Sequence, residues 1–189
     1  MTGRGVGAAL FILGGGAEIV RVIATHFATQ SFAAPPVVVA AITLGPSLVI
    51  ALGAVTVGVS FRGRARLAFL LVGIFGLLVI VVNVIQIFLG SPLGPAPSQL
   101  AAALSFLATL AGAVLLLTDR ATRTPARWAL ALPAGAILVL VAGMSLIPWD
   151  AWFALPAIGY VCGGSLLVVP ARRGFADPTP SVVVDPSSP

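Results

Sequence analysis

Glu18 and Arg21 stand three residues apart inside the first apolar stretch of the chain, and His26 follows five residues after Arg21. An acid and a base at membrane depth each cost about 2.5–3.5 kcal/mol to insert, so they need partners or a purpose. Their i,i+3 spacing lets them reach one another on a helix. One reading is an internally neutralised pair that fixes how the first helix packs. The other is a proton- or substrate-binding group. His26 sits near the end of the same stretch, where a lone histidine is ordinarily solvated. Haem or metal binding needs a second His or a Cys at ligand spacing, and the chain offers none, so no metal and no cofactor are expected. The chain holds no GxSxG, HExxH, CxxC or Walker sequence, and Gly14-Gly15-Gly16 is followed by no Lys, so no catalytic residue is assigned.

Asn83 and Gln86 are the other strongly polar side chains within an apolar run. At 1.5 Å per residue, Glu18 and Arg21 lie roughly 3 and 7 Å beyond the bilayer midplane, and Asn83 and Gln86 roughly 7 and 11 Å beyond it on the same side. Thr43, Ser47, Ser105 and Ser145 fall in the same half. One reading is a polar pocket open to the outside, with Glu18, Arg21, Asn83 and Gln86 around it and His26 among the candidate residues. The alternative is that these side chains bind helices together. Gly7 and Gly14 share a helix face with Glu18, Arg21 and Thr25, which allows a neighbouring helix to approach closely.

The elements that hold these residues are read from composition. The 189 residues are 59% hydrophobic and 8% charged, with mean hydropathy +1.15. Soluble domains carry about 25% charged residues, so the class is an all-α polytopic membrane protein. Six apolar runs are expected as transmembrane helices, at about 6–27, 37–60, 67–89, 99–118, 128–147 and 151–169. They form three hairpins in one domain, 1–173. The tail 174–189, rich in Pro, Ser and Asp, is expected to be disordered. The first run is expected to remain as a span, because Glu18 and Arg21 interrupt the approach to a signal-peptide cleavage site.

The net charge is +5, and all ten basic residues are Arg. They sit at run ends and form no patch, which excludes a nucleic-acid partner. With abundant Ala, Gly and Pro, the absence of Lys suggests a GC-rich bacterial genome. Arg62, Arg64 and Arg66 follow run two; Arg120, Arg123 and Arg127 follow run four; Arg172 and Arg173 follow run six. The loops between hold no Arg. That alternation predicts both termini in the cytoplasm and a multi-pass protein of the inner (plasma) membrane. Trp149, Asp150 and Trp152 then mark the outer interface and Trp128 the inner one. The even runs end alike, in Gly53-Ala54-Val55, Gly112-Ala113-Val114 and Gly164-Ser165-Leu166. Runs five and six share Leu-Pro-Ala, at 132–134 and 155–157. Either an internal repeat or chance in an Ala/Gly/Leu-rich chain accounts for this.

Three functions are compatible with these features. The first is an accessory or partner-binding subunit of a membrane assembly, in contact with the lipid bilayer and with other membrane chains or a second copy. The second is a small transporter or channel-like protein with a small-molecule ligand in the outward pocket. The third is an intramembrane enzyme acting on lipid-linked substrates, with His26 or Glu18 as acid/base.

Overall fold

The structure, a computed structural model, describes residues 3–27, 35–89, 94–120, 122, 124–144 and 154–168. Among the described residues it is all helical. The helices are α1 (Gly3–Phe27), α2 (Pro36–Ser60), α3 (Gly63–Leu89), α4 (Ala96–Thr118), the single turn α5 (Thr124–Arg127), α6 (Ala131–Met144) and α7 (Ala154–Val168). Five segments are long and apolar enough to cross a membrane: 3–25, 37–60, 63–89, 96–118 and 125–143. The described part of the sixth run, α7, has 15 residues, about 22 Å of helix. Ser145, Trp149, Asp150, Trp152, Arg123, the Arg172–Arg173 pair and the tail lie outside the described residues.

Two helix starts differ from expectation for identifiable reasons. The basic segment 61–66 is mostly helix, because the loop shrinks to Phe61 and Arg62. Gly63 makes this turn with φ +62°, a left-handed conformation that costs glycine little. Arg64 and Arg66 therefore stand at the start of α3, both exposed. The fifth run begins irregularly. Pro133 has no amide to give the Ala129 carbonyl, so 128–130 form turns and the helix starts at Ala131. The ladder resumes around the gap, from Leu132 N to Trp128 O at 3.1 Å and from Ala134 N to Leu130 O at 3.0 Å.

The long helices form a closed ring in the order α1, α2, α3, α4, α6, α7, with α7 returning to α1. Glycines mark the closest approaches. Gly7 and Gly14 of α1 lie on Gly53 and on Pro46–Ile50 of α2. Gly73 of α3 lies on Ala51 and Val55, and Gly112 of α4 lies on Ala68. Gly15 of α1 meets Ala157 of α7, while Gly164 of α7 meets Ala8 of α1. In each pair, residue numbers rise on one helix as they fall on the other, so neighbours are antiparallel and the start of α1 lies beside the end of α7. Such small-residue contacts are the usual means of bringing helix backbones together in lipid.

Aromatic rings run through the middle. The Arg4 guanidinium stands over Phe61 at 5.3 Å. Phe61 stacks on Phe69 at 5.6 Å, Phe69 lies 6.2 Å from Phe11, and Phe11 lies 5.6 Å from Tyr160. Offset and tilted pairs at these separations attract through the ring quadrupoles. The outer surface is hydrocarbon: Leu13, Val20, Ile74, Val114 and Leu138 are all more than half exposed. Water would penalise such a surface, whereas lipid accepts it, so the bundle fits a membrane-embedded protein.

Candidate functional site

Glu18 and Arg21 find each other. Arg21 Nε donates to Glu18 Oε2 at 2.9 Å, and Nη2 donates to Oε1. The fork is bidentate, the strongest geometry open to a guanidinium and a carboxylate. Neither side chain is fully withdrawn, with 22% of Arg21 and 17% of Glu18 exposed. They continue the α1 face on which Gly7 and Gly14 meet α2. Thr25, one turn further, gives its hydroxyl to the carbonyls of Arg21 and Val22, at 2.9 and 3.0 Å. His26 is in α1, and its side chain lies outside the described residues.

Asn83 and Gln86 are engaged elsewhere. Asn83 Nδ2 donates to the Val79 carbonyl of its own helix at 2.8 Å. Gln86 Nε2 donates to the Gly94 carbonyl at 3.3 Å, and its Oε1 accepts from the Ser98 hydroxyl. Gln86 thus clasps the end of α3 to the start of α4, where Gly94 supplies a second left-handed turn, φ +67°. None of Glu18, Arg21, Asn83 and Gln86 lines the cavity inside the ring.

That cavity, of about 170 Å³, is bounded by α2, α3, α4, α6 and α7 and is partly open. Its apolar wall includes Val72, Val79, Phe106, Ile137 and Pro156, and its polar wall is four hydroxyls: Ser47, Ser105, Thr109 and Tyr160. Thr109 is 1% exposed. Its Oγ1 lies 3.0 Å from the Ser105 carbonyl, which it can reach only as donor, and 3.3 Å from the Tyr160 hydroxyl. A threonine hydroxyl has one proton. With that proton on the Ser105 carbonyl, Thr109 accepts from Tyr160, and the phenol oxygen keeps its lone pairs for a donor in the cavity. Among the described residues, no ionisable side chain but the phenol lines the space. The arrangement suits a small neutral molecule with a hydroxyl or similar donor.

Ser47 and Ser105 stand on this wall, as polar residues of the half of the bundle in which a pocket was expected. Tyr160 and Thr109 are the functional candidates that spacing and depth do not pick out. One signal did exist: Tyr160 is the chain's one tyrosine and falls in mid-run, where its hydroxyl needs a partner.

The crossing of α6 and α7 positions Tyr160. Gly159 sits against the backbone of Pro133, where a Cβ would come 2.6 Å from the proline Cα. Gly163 sits on the Ala129 carbonyl, which Pro133 leaves without a helical donor; a Cβ there would overlap the oxygen. Glycines at i and i+4 thus seat α7 on the irregular start of α6, and Tyr160, adjacent to Gly159, reaches Thr109 of α4.

No family model, no curated protein and no solved structure matches the chain, so the reading of this site stands on its geometry.

Proposed function

We propose that the chain is a six-span integral membrane protein of the plasma membrane, with both termini cytoplasmic, that binds a small neutral molecule inside its helix ring as a carrier or ligand-binding protein. The observation that carries this reading is the Thr109–Tyr160 hydroxyl pair on the wall of an otherwise apolar cavity. A cavity of about 150 Å³ lined by hydrocarbon alone is enough to hold benzene. This one adds hydrogen-bonding groups that would orient a ligand, the usual plan of a small-molecule site. The six-span topology is supported by the arginines. Arg4, Arg62, Arg64, Arg66, Arg120 and Arg127 belong to one end of the antiparallel ring, and the cavity extends from mid-bundle toward the other.

The accessory-subunit reading, the first of the three drawn from the sequence, rests on the small-residue faces and on the absence of catalytic groups. Gly7, Gly14, Gly53, Gly73, Gly112, Gly159, Gly163 and Gly164 contact helices of this same chain, so these faces are no argument for a second chain. The test is thermal melting of the purified protein with phenol. A ligand that binds only the folded state raises the melting temperature increasingly as its concentration exceeds the dissociation constant. A concentration-dependent rise that Tyr160→Phe reduces is expected; no rise at saturating phenol sinks the reading.

A further inference from the structure

A second hollow lies on the outer face of the ring, between α4 and α6. This groove, of about 480 Å³, is lined by Ala103, Leu107, Leu110, Leu138, Val141 and Ala142, together with Phe106 and Ile137. Phe106 and Ile137 also line the inner cavity. These two side chains are therefore a septum, with hydroxyls on one side and hydrocarbon on the other. Among the described residues, the seam they close is the thinnest in the ring. Leu107, Leu138 and Val141 are more than half exposed on it, and none of the described residues that line the groove is polar.

We propose that the cavity is reached from the bilayer through the α4–α6 seam, and that its ligand is a neutral single-chain lipid alcohol. The hydroxyl lies at Tyr160 and the hydrocarbon chain passes Phe106 and Ile137 into the groove. This rests on the ligand-binding reading above and names its ligand class. The inner space takes about a benzene's volume, enough for a hydroxyl and its first carbons, and the remaining chain needs the groove. The described cavity walls carry no charge, so a carboxylate or ammonium head would lose its hydration with no counter-charge in return. A hydroxyl head can donate to the phenol oxygen and accept from a wall hydroxyl. The groove is continuous with lipid tails, so the chain exchanges one hydrocarbon surround for another and the septum alone has to move.

The experiment uses the full chain in phosphatidylcholine nanodiscs and a dodecyl alcohol bearing a diazirine near its chain end. Crosslinks are expected on α4 and α6 at groove residues, displaced by excess 1-dodecanol and not by dodecanoate. Leu138→Trp fills the groove without touching the cavity. It should weaken 1-dodecanol at least about tenfold, a difference of one decade in affinity, while phenol still raises the melting temperature of the same variant. That retained phenol response also shows that the variant folds; Ala103→Phe serves in its place if it does not. Phenol binding with no saturable dodecanol labelling, or labelling indifferent to Leu138→Trp and Ala103→Phe, overturns the lateral route and leaves the cavity reading standing. Failure of both phenol and 1-dodecanol overturns both.

Discussion

The Tyr160 hydroxyl lies 3.3 Å from the Thr109 hydroxyl, across 51 residues of chain and between two helices that are not sequence neighbours. This is a long distance for an O–H···O bond, whose usual range ends near 3.0 Å. Hydrogen bonds between membrane helices average about 0.6 kcal/mol in mutant cycles. Tyr160→Phe and Thr109→Val should each destabilise slightly, with a coupling of about that size. Thr109→Val should cost more, because it leaves the Tyr160 hydroxyl without this partner, whereas in Tyr160→Phe the Thr109 hydroxyl keeps the Ser105 carbonyl. A double-mutant cycle by reversible unfolding in mixed micelles measures this; additive losses would contradict the bond.

The Glu18–Arg21 fork predicts non-additivity of a different kind. Either Glu18→Gln or Arg21→Gln leaves a partly buried charge without its partner, at a cost of about 1–3 kcal/mol. The double change removes both charges and should recover much of the loss, because residues in contact do not add. Unfolding midpoints of the four proteins decide it. If both single variants unfold like the parent, the pair carries no packing role.

Glycine position should matter far more than glycine count. At Gly163 a Cβ meets the Ala129 carbonyl, backbone that cannot swing aside, whereas at Gly135 it meets nothing within 4 Å. Gly163→Ala is expected to cost about 1–3 kcal/mol through overpacking, and to lower phenol binding by moving Tyr160. Gly135→Ala should be neutral or slightly stabilising, since alanine is the better helix former. Parallel melting curves with and without phenol separate the two.

Orientation is tested by cysteine labelling on a Cys162→Ser background. Cysteines at Gln30, Ser91 and Asp150 should react with an impermeant reagent from outside, and cysteines at Gly63 and Thr122 should not. External labelling at Gly63 reverses the assignment that the arginine-bearing loops imply.

Hydropathy made the helices legible, and the arginine spacing suggested how they alternate. Helix starts were less legible. Arg62, Arg64 and Arg66 look like a loop when charge is taken as a sign of loop, yet a long arginine stem lets the helix begin under it. The polar residues are a related case. Asn83 and Gln86 suggest a pocket by type and depth, but their hydrogen bonds go to Val79, Gly94 and Ser98, local partners that no depth estimate contains. Tyr160 was hidden for the opposite reason. Its nearness to Thr109 depends on the α6–α7 crossing, which depends on a carbonyl freed by Pro133 and a glycine that fits against it. That is a relation among three elements, and periodicity describes one at a time.

The ring closes between the first helix and the last, and this has a consequence for how the protein is made. During synthesis each new span has a finished neighbour beside it, but Ala8 and Gly15 wait for Gly164 and Ala157, which are translated at the far end of the chain. Until α7 is inserted, that side of α1 faces lipid and the cavity lacks the wall that carries Tyr160. An intermediate ending before residue 154 therefore holds five apolar segments around a space that is still open.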